Sequence, residues 1–186
     1  MSRWRPGARE RLEQAAIELF VEQGFAATTV PQITARAGLT TRTFFRHFAD
    51  KREVLFGGEE IPAMATRMIS EAAPGADPMT ILVEGLRTVA ESRFEGRRDD
   101  LRVRRQIVRS DPGLRERDLR KRDVVSAAIR DGFRARGVDP LRAALLAETA
   151  VTLLFVSLDQ WLDQDGDRPL FAIVEEALAA LRQAVG

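Results

Sequence analysis

Between Thr28 and Lys51 two short apolar-periodic segments flank a single glycine, in the run TTVPQITARAGLTTRTFFRHFADK. The second segment is so short that only large side chains can anchor it, and Phe44, Phe45 and Phe48 are the ones present. Local chemistry sets the boundaries. Thr29 followed by Gln32 reads as a capping box, with Pro31 early enough in its helix that the missing N–H costs nothing. Val30, Ile33 and Ala37 share one face at helical spacing. Gly38 stands where that helix must stop, since glycine enters the left-handed conformation freely. Leu39 can plug the angle between the two helices, and Thr40 is placed to cap the second. Asp50 with Glu53 is another N-terminal signature, opening a further helix whose first residues are Lys51 and Arg52.

Upstream, Arg9 to Gln23 is amphipathic, with Leu12, Ala16, Leu19 and Phe20 on one stripe and Gly24 ending it. Residues 1–56 therefore read as a compact helical domain. It carries nine basic and six acidic residues, a formal charge of +3, against 20 and 22, or −2, in residues 57–186. The asymmetry is modest, and its sign suits a first domain that meets phosphate. Arg3, Trp4 and Arg5 read either as an arm reaching toward a duplex or as a frayed terminus.

The segment resembles the DNA-binding domain of the TetR family of bacterial transcriptional regulators. The resemblance rests on Leu19-Phe20, Gly24-Phe25, Thr28-Thr29-Val30, Ile33, Ala37-Gly38, Phe44-Phe45-Arg46-His47-Phe48 and Lys51, in the family's order. It implies a three-helix helix-turn-helix domain whose recognition helix begins after Thr40. Thr29, His47 and Lys51 then match positions that hold phosphates, and a capped helix N-terminus, an imidazole N–H and an ammonium suit that task. Thr40, Thr41, Arg42 and Thr43 occupy the turn nearest the base edges, with Arg42 placed for bidentate contact to a guanine. Arg46 is assigned to base or backbone, and Arg36 to the backbone. The other reading of these residues is a solvated polar face. Two positions depart from the family pattern. Phe45 stands where a tyrosine is usual, so apolar contact to a sugar or a thymine methyl replaces a hydroxyl–phosphate contact. Thr34 stands where a small alanine is usual.

Length and composition agree with a two-part, all-α chain: residues 1–56 as the DNA-binding domain and residues 57–186 as a helical bundle for ligand binding and dimerisation. No apolar run reads as long enough to span a membrane, and the N-terminus lacks the apolar core of a signal peptide. With no cysteine, disulfide and thiol chemistry are excluded. The expectation is a cytoplasmic protein acting on the nucleoid, with no cofactor. Helices are expected near 60–73, 78–95, 98–110, 113–136, 139–164 and 169–184, punctuated by glycine and proline. Gly57-Gly58 interrupts the helix leaving the first domain, as a hinge or as a static kink.

From Ala143 to Leu162 the chain is apolar nearly all round, so this helix must be buried on more than one side. Phe171, Val174, Leu178, Leu181 and Val185 repeat at spacings of three and four, close to a coiled-coil seam. The two helices read as a homodimer interface, a four-helix bundle built on Leu154, Leu158, Trp161, Val174, Leu178 and Leu181, with a purely intramolecular core as the alternative. The family resemblance implies the same dimer. It also implies a chamber for a small-molecule effector among the preceding helices, where Met64, Met68, Ile81, Leu82, Leu86 and Phe94 stand; each of these serves an ordinary core equally well. Arg98, Arg102, Arg105 and Arg109 lie on one helical face, either for an anionic head group or as a solvated face paired with Asp99, Asp100 and Asp111. The C-terminal half as a whole further resembles a mainly actinobacterial branch of TetR-like proteins that includes the mycofactocin-cluster regulator, through LFG at Leu55, SDPGLRER at Ser110–Arg117 and the helix containing Trp161. Some members of that branch respond to acyl-thioesters.

An enzyme is disfavoured. The only histidine is His47, so neither a di-metal carboxylate site nor a Ser-His-Asp arrangement can be assembled elsewhere. The expectation is a ligand-released repressor that binds a near-palindromic double-stranded DNA operator as a homodimer. The alternative is a ligand-independent DNA-organising protein with the same first domain.

Overall fold

The computed structural model describes residues 7–56 and 60–185, and every regular element among them is helical. In chain order these are α1 (Ala8–Gln23), α2 (Val30–Ala37), α3 (Thr41–His47), α4 (Glu53–Phe56), α5 (Glu60–Glu71), α6 (Pro78–Val89), a π-helical turn at Ala90–Phe94, α7 (Arg98–Ser110), α8 (Pro112–Ala135), α9 (Pro140–Asp163) and α10 (Leu170–Val185). The expected helices are all present. One differs in kind: the expected 78–95 helix is α-helical only to Val89 and then widens into the π turn. The Arg3-Trp4-Arg5 arm and the Gly57-Gly58 hinge fall outside the described residues.

The chain divides into two compact units, residues 1–58 with 102–118, and 59–101 with 119–186. In the first, α1 buries Leu12, Ala16, Leu19 and Phe20 against Ile33, Phe44, Phe48 and Val54. Ile107 and Leu114 are buried in this same core. Asp111 Oδ1 accepts the Leu114 N–H at 2.9 Å, and Arg104 donates to the Val54 carbonyl at 2.7 Å. Arg117 pairs with Asp50 at 3.3 Å. The segment containing SDPGLRER thus packs with the first unit, whereas the sequence reading grouped it with everything after Phe56. Helical periodicity reveals that a face is buried, not which core buries it.

In the second unit, α6, α8, α9 and α10 enclose a core that includes Leu82, Leu86, Phe133, Leu146, Leu154, Trp161, Ile173 and Val174. Two arginines finish helix ends. Arg98 donates to the carbonyls of Trp161 and Gln164, the latter at 2.7 Å, and its guanidinium lies 4.8 Å from the Trp161 ring centre. Arg136 donates to the carbonyls of Ile69, Ala72 and Ala73 at the end of α5. Each supplies donors and positive charge where a helix leaves its last carbonyls unpaired. Contrary to the sequence expectation, α9 is by length and apolarity able to cross a membrane, with a mean hydropathy of 1.7 in its most apolar window. Its Ala143, Ala147, Ala150, Leu154 and Trp161 stripe is nevertheless core, and a buried helix of a globular unit has the same composition.

Candidate nucleic-acid interface

Two short helices in the first unit are capped by their own threonines. The Thr29 hydroxyl accepts the Gln32 N–H, and Gln32 Oε1 accepts the Thr29 N–H at 2.8 Å, so the expected capping box is complete. Gly38 ends α2 with φ 63°, and its N–H donates to the carbonyls of Ala35 and Thr34. The Arg11 guanidinium donates to the neighbouring Ala37 carbonyl. The Thr40 hydroxyl accepts the Thr43 N–H at 3.2 Å and opens α3. Phe44 and Phe48 are fully buried, their ring centres 5.3 Å apart, and they fix α3 to the core. Thr34 is buried without strain on its hydroxyl, which donates to the Pro31 carbonyl at 3.0 Å.

What remains on the surface of α3 is Thr41, Arg42, Phe45 and Arg46, all exposed, with Thr43 and His47 half-buried. Arg42 makes no hydrogen bond or ion pair among the described residues. Phe45 is 59% exposed and stacks edge-on against Phe44, so an apolar ring faces solvent where a hydroxyl is usual. The Arg46 guanidinium lies 3.5 Å from His47 Nε2. The arrangement offers donors, one unpaired guanidinium and one exposed ring on a short, rigidly held helix. Those are the groups that read base edges and grip a backbone.

Two cations from the same expected set are engaged within the chain. Arg36 pairs with Glu22 at 2.5 Å and lies 3.9 Å from Glu18. The hydrogen bond holds the Glu22 carboxyl below its ordinary value and raises the Arg36 guanidinium. Lys51 is turned inward. Its Nζ donates to the carbonyls of Phe25, Ala26 and Thr28 at 2.8, 3.3 and 2.8 Å and sits 4.3 Å from the Phe25 ring centre. Burial, aided by Arg52 and opposed by Asp111, pushes this ammonium below the usual lysine value. Sequence reading missed Gln23, whose amide donates to the Ala27 carbonyl, the Thr28 hydroxyl and Gln32 Oε1. Nothing in a lone glutamine at a helix end distinguishes it from a solvated one.

The second unit contains a narrow apolar cavity of about 50 Å³ between α5, α6, α8 and α9. Met68, Ile81, Leu82 and Leu86 line it as expected, joined by Ile61, Ala65, Ile69, Gly85, Val89, Val125, Ile129, Phe133, Ala150, Val151 and Leu154. Not one lining residue is charged or carries a hydroxyl. Met64 and Phe94 pack in the surrounding core instead. Arg102 and Arg105 belong to the first compact unit and are not among the residues that line this cavity. Arg98 donates instead to carbonyls at the end of α9. Leu154 lines the cavity rather than a surface seam. Trp161, Val174 and Leu178 lie in the chain's own core for the same reason: their stripe already faces α6, α9 and α10 neighbours. Leu158 is half-buried and Leu181 is exposed.

Residues 13–57 match the family model for bacterial regulatory proteins of the tetR family. The transcriptional regulator TcmR of Streptomyces glaucescens is 33% identical over 138 residues, covering 70% of this chain and 61% of that protein. The chain thus spans about three fifths of that relative's length. The transcriptional activator FasR of Mycolicibacterium smegmatis is 25% identical over 167 residues, 87% of this chain and 74% of its own. Among solved structures, Thermus thermophilus FadR, a TetR-family repressor in complex with lauroyl-CoA, superimposes with a TM-score of 0.54 at 25% identity, covering 93% of this chain and 92% of that one. Residues 13–57 are thus similar to the DNA-binding domain of tetR-family regulatory proteins, and the chain as a whole is similar in sequence to proteins named as HTH-type transcriptional regulators.

Proposed function

We propose that this chain is a homodimeric repressor released from a near-palindromic operator when an apolar effector fills the cavity between α5, α6, α8 and α9. The observation that carries the reading is the surface of α3. Its anchoring Phe44 and Phe48 are buried, its N-terminus is capped, and Arg42 stands exposed with no partner among the described residues. In this reading Thr40, Thr41, Arg42, Thr43 and Arg46 meet base edges, and Thr29 and His47 meet phosphates. Two recognition helices then enter successive major grooves about 34–36 Å apart.

The cavity's chemistry selects the effector. With no polar side chain in the lining, a polar atom placed inside would lose hydrogen bonds to water with little compensation. A hydrocarbon chain of an acyl-thioester suits such walls, its polar head staying outside, and the Thermus relative binds lauroyl-CoA. The LFG, SDPGLRER and Trp161 segments support a place in the mycofactocin-regulator-like branch. The chain would act in the cytoplasm, on the nucleoid.

Selection of bound duplexes from a random pool tests the reading. An inverted repeat whose half-sites lie about one helical turn apart is expected, with binding weakened by lauroyl-CoA. A pool that shows no enrichment would overturn it. A reporter driven from the selected sequence fixes the sign: loss of the chain should raise transcription, whereas a fall would make it an activator, as FasR is named.

A further inference from the structure

Lys51 follows the recognition helix, yet its side chain reaches back more than twenty residues to the loop between α1 and α2. An ammonium has three N–H donors and no acceptor. Here three carbonyls, those of Phe25, Ala26 and Thr28, lie within 3.3 Å of Nζ. The Phe25 ring closes another side at 4.3 Å, a cation–π arrangement. Phe25 is itself buried, its ring 5.1 Å from that of Phe20, so the loop that receives Lys51 is anchored in the core. The next residue after these carbonyls is Thr29, the cap of α2.

We propose that Lys51 is a positioning residue: it fastens the loop before α2 to the end of the recognition helix, and so sets the spacing between the Thr29 cap and the α3 surface, instead of gripping a phosphate itself. The proposal rests on the DNA-binding reading above. To touch a phosphate the ammonium would have to abandon three carbonyls, of which that of Phe25 would keep the Thr28 N–H at 3.3 Å. While it stays, the N-terminus of α2 is held in register with α3, and little loop ordering is left to be done when a duplex arrives.

Arginine separates the two roles. A guanidinium grips phosphate at least as well as an ammonium, but its planar fork does not match three converging carbonyls. The full chain and its Lys51→Met and Lys51→Arg variants would be titrated with a mixed-sequence duplex about four helical turns long, between roughly 50 and 200 mM salt. Each variant would be checked by circular dichroism and studied below its unfolding midpoint. Amide exchange at Thr28, Thr29 and Gln32 would be followed in parallel. The expected result for Lys51→Met is an affinity loss on the order of tenfold with an unchanged slope of log affinity against log salt. Exchange at the three amides should quicken, and Lys51→Arg should restore neither quantity. A residue that only holds the unit folded would leave affinity alone wherever the variant is folded.

A slope shallower by about 0.9 per contact in Lys51→Met, with binding restored by Lys51→Arg, would overturn the proposal in favour of a phosphate contact. Wild-type affinity and wild-type exchange in Lys51→Met would overturn it as well. If Lys51→Met fails to fold, Lys51→Arg alone decides, since only a phosphate contact keeps wild-type binding with arginine. A wild-type chain that binds no duplex would sink the regulatory reading, and the exchange rates would still decide whether Lys51 fastens the loop.

Discussion

Arg42, Arg36 and Lys51 are three cations in one short stretch, and the structure separates them by what surrounds each. Arg36 is tied to Glu22 and Glu18, and Lys51 to three carbonyls, whereas Arg42 has no partner among the described residues. Sequence reading grouped all three as nucleic-acid contacts because a charge at helical spacing reveals its face and not its neighbours. The acceptors for Lys51 are backbone carbonyls, which no side-chain pattern displays. The caps at Thr29 and Thr40 were legible, since each depends on residues within four positions, whereas Phe45, expected with Phe44 and Phe48 to anchor the short helix, is exposed. Arg42 is therefore the side chain whose loss should act on sequence choice alone. Replacing it with alanine should leave the unfolding midpoint unchanged and lower discrimination between the selected duplex and a scrambled one by about 1–3 kcal/mol. Competition titrations of the two duplexes measure this, and equal loss on both would reassign Arg42 to the backbone.

At the scale of elements, the boundaries of the short helices followed from local signals: the capping box at Thr29, the left-handed Gly38 and the Thr40 cap. The aspartate caps at Asp77 and Asp139 emerge from the structure. Two further features did not follow from local signals. The π turn at Ala90–Phe94 has no composition that sets it apart from the helix it continues. The attachment of Ile107 and Leu114 to the first core depends on contacts remote in sequence. Two mid-helix glycines show how packing sorts residues that look alike in sequence. A Cβ on Gly132 of α8 would meet Ile69 side-chain atoms at 3.2 Å, so this glycine lets α5 approach closely. A Cβ on Gly85 of α6 would meet nothing within 4 Å, and Gly85 lines the cavity. Glycine inside a helix costs roughly 0.5–1 kcal/mol relative to alanine. Gly85→Ala should accordingly stabilise the chain by about that amount, while Gly132→Ala should destabilise it by about 1–3 kcal/mol through overpacking. Chemical denaturation of both variants checks the pair. A larger residue, Gly85→Leu, should occupy the cavity and blunt any response to lauroyl-CoA with DNA binding intact.

At the scale of the whole molecule, self-association depends on which apolar side chains the folded chain leaves uncovered. The sequence placed the seam on one stripe of α9 and α10, but a helix that is apolar all round does not say which stripe its own core takes. The structure assigns Trp161, Val174 and Leu178 to that core. Leu141, Leu145 and Val156 stay exposed on α9, at spacings of four and eleven that keep them on one face, and Leu181 is exposed on α10. Leu145 is 60% exposed and Val156 55%, against 8% for Leu178. A buried leucine replaced by a charge loses its packing and strands the charge in an apolar medium, a cost of several kcal/mol and a large share of a domain's whole stability. Leu178→Glu should therefore unfold the chain or lower its midpoint sharply, which would say nothing about a partner. Leu145→Glu and Val156→Glu place the same charge on the outer face, where an unpaired chain tolerates it within about 0.5 kcal/mol. In a dimer joined through this face both copies would bring the charge to the two-fold interface. Sedimentation of Leu145→Glu should give a folded monomer with wild-type helical content. Because two half-sites no longer act together, its affinity for an inverted repeat should fall toward that for a single half-site. A folded dimer in both outer-face variants would place the interface elsewhere on the chain.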